Sequence, residues 1–228
     1  MTRRKEAVQR GVRNKVFLVD DHPIVRLGMR ELINQQHDLA VSGEAEDART
    51  ALERIPVDVP DVAVVDISLK GMDGLELIKR IKAQYPQVKT LVVSMHPASL
   101  YAERAFRAGA HGYIMKQEAN ESLIAAIRRV LEGKMYVSES YAGTLLHKLA
   151  KGGSGMETSV VSVLSDRELE VFRLIGEGHG TREIAELLQL SMKTIETYRE
   201  HIKGKLILKD APDLVQHASQ WVREQKQS

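Results

Sequence analysis

Cysteine is absent from the 228 residues. That excludes a disulfide framework, a thiolate metal site and a cysteine nucleophile. Aromatic residues make up only 4%, so the cores have to be built from Val, Ile, Leu and Ala. No apolar run approaches the length of a membrane span, and no membrane partner is expected. The start, MTRRKEAVQRGVRNK, is basic but leads into no apolar stretch of the secretory kind. Residues 1–14 are expected to form a disordered basic tail. A strong charge of one sign is also missing, the net value being +2. Residues 1–15 hold six Lys/Arg against one Glu, whereas residues 161–228 hold ten Lys/Arg against eleven Asp/Glu. A nucleic-acid-binding domain is usually basic, and the C-terminal part is not. What is present suits two small soluble domains in a reducing cytoplasm: 43% hydrophobic and 28% charged residues.

From Lys15 to about Glu132 short β-branched runs alternate with helix-length amphipathic stretches. The runs are Val16–Val19, Leu39–Val41, Val62–Val65, Val88–Val93 and Gly112–Met115. Ile24, Val25, Leu27, Gly28, Leu32 and Ile33 fit one apolar face of the first helix. Ala98–Ala108 and Ala119–Leu131 repeat that pattern. Five strands alternating with helices predict an α/β domain, a five-stranded parallel sheet covered on both faces, over residues 15–132. Residues 133–160 read as a linker. Tyr141–Leu149 is a possible short helix within it, and the Lys151–Gly155 segment is of the flexible Gly/Ser type.

Functional groups in a parallel sheet gather at the carboxyl ends of its strands. The first strand ends in Asp20 and Asp21, the third in Asp66, the fourth in Ser94 and the fifth in Lys116. Three converging carboxylates repel one another and favour a hard divalent cation with oxygen ligands, for which Mg²⁺ is the natural choice. Such a cation, with Lys116 opposite, neutralises charge on a transferring phosphoryl group. Asp66 then becomes the attacking carboxylate and forms an aspartyl phosphate. Ser94 is suited to donate to a phosphoryl oxygen. His22 beside the acid pair opens a second reading, an Asp-Asp-His site for Mn²⁺ or Fe²⁺, against a structural role at a helix start. His96 and His111 are expected at the surface.

The acid pair in LVDDHP, the acceptor in VVDISL, the GMDG turn, the Ser in VVSMH and the Lys in GYIMK together resemble a CheY-like receiver domain. The resemblance covers residues 15–131. It implies the doubly wound, flavodoxin-like strand order, of which that very protein is a standard example. It implies phosphorylation of Asp66 from a phosphohistidine on a sensor histidine kinase or phosphotransfer protein. It implies Mg²⁺ held by Asp21, Asp66 and the backbone carbonyl of Ser68, with Asp20 acting mostly through water. Ser94 and Tyr113 would form the switch pair, the serine moving to the phosphate and the ring rotating inward. Lys70 departs from the Pro of many relatives.

From Val161 onward the pattern is helical only. Ser165 with Glu168 makes a capping box, and Gly176 and Gly178 end that helix. Thr181 is read as the cap of a second helix through Leu188. Ser191 caps a third to about Leu206, and Pro212 opens a fourth that ends near Trp221 and Val222. Leu164, Val171, Leu174, Ile175, Ile184, Ala185, Leu188, Ile195 and Leu206 are the expected core. Four short helices with a tight turn before the third match a helix-turn-helix domain over residues 161–228.

The stretch from LSDRELEV through REIAELL, SMKTIETY and HIKGKL to ASQWV resembles the LuxR-type helix-turn-helix of NarL/FixJ-type response regulators. The third helix would then lie in the major groove of double-stranded DNA. Lys193, Thr194, Lys203 and Lys205 suit phosphate contacts, and Glu196, Thr197 and Glu200 suit base edges. Arg199 shares the exposed side. Many relatives carry Lys at the position of Glu196 and often His at that of Tyr198. The resemblance implies a phosphorylation-switched transcription regulator that binds DNA as a homodimer when active. Three readings compete with it: a Mg²⁺-dependent phosphatase with Asp66 as nucleophile, a receiver-controlled adaptor for protein or RNA, and a DNA binder without the switch.

Overall fold

Val16–Val19 and Val62–Val65, in which every residue is apolar, become strand segments buried on both faces. In the computed structural model, residues 13–69, 71–138, 141–143 and 160–227 are described. Cα packing divides the chain into two units, 1–141 and 142–228. The first unit contains β1 (Asn14–Val19), α1 (Pro23–Asn34), β2 (Leu39–Ala45), α2 (Ala48–Asp58), β3 (Val62–Val65), α3 (Gly74–Gln84), β4 (Lys89–Ser94), α4 (Ala98–Ala108), β5 (Gly112–Met115), α5 (Ala119–Leu131) and β6 (Tyr136–Val137).

The sheet has six parallel strands in the order β2-β1-β3-β4-β5-β6. The flavodoxin-like order holds for the first five. The expectation of five strands is corrected by β6, which pairs Tyr136 with Gly112 and Val137 with Tyr113. It lies in the segment read as linker, and two residues are too few to form a visible hydrophobic run. Residues 141–143 are helical, but the rest of the helix considered over Tyr141–Leu149 lies outside the described residues. So do residues 1–12 of the expected tail 1–14, Lys70 and the Lys151–Gly155 segment; Asn14, placed in that tail, is instead the first residue of β1.

One face of the sheet buries Val16, Leu18, Val64, Leu91, Val93 and Ile114 against Met29 and Ile33 of α1 and Leu123, Ile127 and Val130 of α5. Alternation along the strands turns Phe17, Val19 and Val65 to the other side, where α2 and α4 pack. Each fully buried Leu, Ile or Val contributes about 1.5–3 kcal/mol. The core-facing stripe of α1 is Val25, Met29, Leu32 and Ile33. Ile24 and Leu27, assigned to that stripe from periodicity, are 84% and 47% exposed, and Gly28 is exposed as well. The helix carries more apolar residues than the sheet can cover, so spacing alone selects the wrong edge of the stripe.

The second unit contains a 3₁₀ turn (Val160–Val163), α6 (Asp166–Gly176), α7 (Thr181–Leu188), α8 (Met192–Leu206) and α9 (Ala211–Gln227). The Ser165–Glu168 capping box forms reciprocally, and the Ser191 hydroxyl accepts from the Thr194 N–H. The cap of α7 is Gly180, not Thr181, which is the first helical residue. Helix α9 runs past Val222 to Gln227. Leu164, Val171, Leu174, Ile175, Ile184, Ala185 and Ile195 are buried as expected, together with Phe172, Ile202, Leu214, Ala218 and Trp221. Leu188 and Leu206 are only half-buried. Gly176 lets α6 approach α9, since a Cβ there would stand 2.3 Å from the Ala218 carbonyl oxygen.

Candidate functional site

Parallel register brings the strand ends β1, β3, β4 and β5 to one edge, and the acid groups meet there. Lys116 Nζ stands 2.7 Å from Asp66 Oδ2 and 2.8 Å from Asp20 Oδ2. The three side chains are 7% (Lys116), 2% (Asp66) and 0% (Asp20) exposed. Asp66 Oδ1 is buried and accepts no hydrogen bond among the described residues. A buried lone pair left over in this way is a binding position unless something fills it.

Each group is held by backbone as well. The Asp66 N–H donates to the Val19 carbonyl at 2.9 Å, which locks β3 beside β1. Gly74, of the GMDG turn, donates to the Ile67 carbonyl at 2.8 Å. A Cβ at Gly74 would overlap the Asp66 carbonyl oxygen at 1.9 Å, so only glycine lets the turn close behind the acid. Arg26 donates to the Asp20 carbonyl and, through Nε, to Glu44 at 3.1 Å. Asp20 Oδ1 accepts from the His22 N–H at 2.8 Å.

Burial pushes the Asp66 carboxyl above the usual carboxylate range. The Lys116 charge pulls it back, and the Asp20 charge pushes it up again. For Lys116 burial disfavours the ammonium, but the two carboxylates outweigh it and hold its pKa up. The arrangement is a buried cation shared by two acids, a geometry that costs desolvation and is kept for chemistry or specificity.

Asp20, Asp21, His22 and Asp66 each place one ligand atom within 4.8 Å of the others. Three hard carboxylates and a free buried oxygen fit an oxygen-loving divalent cation. His22 is 61% exposed, and its Nδ1 lies 2.7 Å from Asp21 Oδ1. It sits at the rim, so the Mn²⁺/Fe²⁺ reading shares the same cluster.

Ser94 is fully buried, and its Oγ accepts from the His96 N–H at 3.2 Å. Tyr113 is 1% exposed, already inward, and its hydroxyl donates to the His96 carbonyl at 2.8 Å. Burial pushes the Tyr113 phenol far above its ordinary value, partly offset by a hydrogen bond with the Ser94 side chain. His96 was expected at the surface and is only 4% exposed. Its Nε2 is 2.8 Å from Ser68 Oγ, and its ring stacks on Tyr101 with centroids 4.4 Å apart. His111 is half-buried, with Nδ1 accepting from the Thr90 N–H at 3.2 Å. Burial, then the Lys89 and Lys82 charges, lowers its pKa. No periodicity marks either histidine. The one available sign for His96 is position: it stands two residues beyond Ser94, as Ser68 stands two beyond Asp66.

The second unit presents α8 as a mixed charged face. Lys193, Glu196, Thr197 and Glu200 are exposed, while Thr194 and Arg199 are half-buried. Thr194 Oγ1 is 2.8 Å from Ser191 Oγ, within the cap. Lys203 pairs with Glu200 at 2.9 Å, and Lys205 pairs with buried Glu168 at 2.6 Å. Burial raises the Glu168 pKa, but the Lys205 ammonium and the Ser165 donors outweigh it, so the carboxyl lies below its usual range. Lys205 thereby fastens the end of α8 to the start of α6.

Comparison with known proteins covers both units. The response regulator receiver domain family matches residues 16–128, and the luxR family of bacterial regulatory proteins matches residues 162–218. The oxygen regulatory protein NreC of Staphylococcus epidermidis is 36% identical over 209 residues, spanning 90% of this chain and 96% of that one. NreC of Staphylococcus aureus is 36% identical over 208 residues with the same coverage. Among solved structures, the RcsB response regulator of Salmonella typhimurium aligns with TM-score 0.56 and 31% identity over 91% of this chain and 98% of that chain. The RcsB–DNA complex aligns with TM-score 0.54 and 32% identity, again over 91% and 98%.

Proposed function

The chain belongs to the two-component response regulators that join a receiver to a LuxR-type DNA-binding domain, and from that premise we propose that Asp66 is its phosphoacceptor. It is a DNA-binding transcription regulator and not a turnover enzyme. The observation that carries the site assignment is Lys116 Nζ at 2.7 Å from one Asp66 oxygen while the other is buried with no hydrogen bond from the described residues.

The donor is a phosphohistidine on a histidine kinase or phosphotransfer protein. The Asp66 carboxylate forms the new P–O bond, the P–N bond breaks, and its electron pair returns to the partner's imidazole, which takes up a proton. Asp20, Asp21, Asp66 and the Ser68 carbonyl would hold Mg²⁺. When bound, the ion supplies charge neutralisation on the phosphoryl oxygens. Lys116 exchanges one carboxylate partner for a phosphoryl oxygen, so its charge stays compensated throughout. Ser94 donates to the phosphoryl group, and Tyr113 follows as the aromatic member of the switch.

In the output domain, Lys193, Thr194, Arg199, Lys203 and Lys205 position the DNA backbone, and Glu196, Thr197 and Glu200 address base edges. The active species is a homodimer on two half-sites, a reading supported by solved RcsB dimers on DNA. We place the receiver over residues 15–137, the connecting segment up to 160 and the output domain over 161–228, in the cytoplasm. No helix among the described residues is long and apolar enough to cross a membrane.

The test compares wild type with Asp66→Ala in the presence of Mg²⁺ and acetyl phosphate. Acid-labile, hydroxylamine-sensitive phosphorylation in wild type and none in the variant is expected, with phosphorylation tightening binding to a subset of genomic DNA fragments. Label that persists in Asp66→Ala overturns the acceptor. DNA binding indifferent to the donor overturns the switch.

A further inference from the structure

Arg26 reaches the acid cleft from behind. It ends the first turn of α1, four residues before Arg30, so the two share one side of the helix. Both guanidinium groups converge on Glu44 near the end of β2. Arg26 Nε donates to one carboxylate oxygen at 3.1 Å and Arg30 to the other at 3.1 Å. Register pairs Glu44 with Leu18, two residues before Asp20. The Arg26 fork has a second engagement, since Nη1 donates to the Asp20 main-chain carbonyl. The Asp20 N–H donates in turn to the Ala45 carbonyl at 3.2 Å. The peptides on the two sides of Asp20 are therefore tied, one to β2 and the other to α1 through Arg26.

A carbonyl and the N–H that follows it lie in one peptide plane. Holding the Asp20 carbonyl fixes that plane, and with it the direction in which Asp21 leaves the chain. The Asp20 carboxylate is anchored by Lys116 and by the His22 N–H. Asp21 has a looser hold through its side chain, which meets the 61% exposed His22. Its place depends on the backbone. By charge alone Arg26 is in the wrong position, because a cation beside a cation site opposes its occupancy. Glu44 offsets that charge, and the Arg26 and Glu44 side chains are only 17% and 24% exposed.

We propose that Arg26, braced by Glu44, is a positioning residue that sets the Asp20–Asp21 peptide and so raises the affinity of the acid cleft for Mg²⁺. The inference rests on the Asp66 reading and its Mg²⁺ site. Positioning and charge predict opposite signs when Arg26 is removed.

Mg²⁺ is titrated into the unphosphorylated full-length protein and followed by amide NMR shifts, for wild type, Arg26→Met, Arg26→Lys and Arg30→Met. Arg26→Met is expected to bind Mg²⁺ about three- to tenfold more weakly, the share of one hydrogen bond. Arg26→Lys keeps the charge but not the fork that spans both partners, and weaker binding is expected there too. Arg30→Met takes the same charge from the same Glu44 without touching Asp20, and binding like wild type is expected. In labelling with acetyl phosphate, the Mg²⁺ concentration for half-maximal rate rises by the same factor in Arg26→Met, and the rate at saturating Mg²⁺ equals that of wild type. Charge alone predicts tighter binding in Arg26→Met and no change in Arg26→Lys; either result overturns the proposal. Equal weakening in Arg30→Met overturns it as well, since a loosened α1 is then the cause. Urea denaturation in metal-free buffer reads stability apart from affinity, and Arg26→Lys, which keeps the stem, carries the test if Arg26→Met unfolds. If Asp21→Asn binds Mg²⁺ as tightly as wild type, or wild type takes up no label on Asp66, the reading of the cleft itself falls. If wild type binds and labels and both Arg26 variants match it, only the clamp falls.

Discussion

The acid cleft of the receiver and the face of α8 are both built from charged side chains, and the fold treats them in opposite ways. In the cleft Asp20, Asp66 and Lys116 are almost wholly withdrawn from water, and their oxygens and nitrogen meet within 2.8 Å. Burial forces a unique arrangement, because an unpaired charge there is intolerable. On α8 the residues Lys193, Glu196, Thr197 and Glu200 stand in solvent. On the proposed reading, DNA completes their arrangement, with only local pairs such as Lys203–Glu200 supplied by the chain. The same contrast accounts for part of the missing basic charge of the output domain. Glu168 and Glu170 are buried, beside the equally buried Arg167, so the surface is less acidic than the residue count.

The largest effect that probes this difference is expected at Lys116. Lys116→Met leaves two buried carboxylates without their cation and lowers receiver stability by about 3–5 kcal/mol in urea denaturation without divalent ions. Added Mg²⁺ is expected to restore part of the loss. Equal stability of wild type and variant in metal-free buffer breaks the contrast. On α8, Lys193→Ala is expected to leave stability within about 0.5 kcal/mol. It should weaken DNA binding uniformly across sequences and lower the slope of log affinity against log salt by about one. Glu196→Ala should change the preference at one base pair by about 1–3 kcal/mol, read by competition between site variants. Identical preferences in that assay remove Glu196 from the reading set.

A matched pair of strained caps sharpens the comparison between units. Val59 in the receiver (φ 42°) and Ile207 at the end of α8 (φ 56°) are β-branched residues in left-handed conformation, and both are exposed. Replacing either with Gly is expected to stabilise its own unit by about 1 kcal/mol in calorimetry. A shift of a single common transition by both variants would show one cooperative unit instead.

The smallest effect concerns a charge pair inside the receiver that is not buried. Arg128 donates to both Asp38 oxygens, at 2.9 and 2.8 Å, which holds the Asp38 pKa down at about 2. Asp38→Asn is expected to cost about 0.5–1 kcal/mol, reduced by solvent screening. A carboxyl with a depressed folded pKa stabilises above its unfolded value and loses that stabilisation as it protonates. The cost is therefore present in full above about pH 4 and vanishes as pH falls toward about 2. A difference independent of pH removes the ion pair as its cause.

Much of the architecture was legible. Val62–Val65 and Gly112–Met115 were readable as strands to the residue, because an unbroken apolar run of four has no other stable place in such a domain. The acid–Ser–Lys set was legible for a related reason, since strand ends in a parallel sheet share an edge. The apolar stripe of α1 was misread, with Ile24 left in solvent, because the helix offers a wider stripe than the sheet covers. The cap of α7 was misplaced by one residue, since Thr181 and Gly180 are both acceptable caps. His96 was misjudged outright, as no periodicity distinguishes a buried histidine from an exposed one and its place just beyond Ser94 was the only sign.

The sequence by itself determined the order and kind of the elements, the acids, hydroxyl and lysine available at the strand ends, and the helix-turn-helix that follows. These depend on propensity, periodicity and capping, which act between near neighbours along the chain. Only the tertiary structure decided that Lys116 meets Asp66 across fifty residues, that Ser68 meets His96 across twenty-eight, and that a sixth strand completes the sheet. Whether a polar group is buried, and which partner then satisfies it, depends on chain segments far apart in sequence, and no local pattern carries that information.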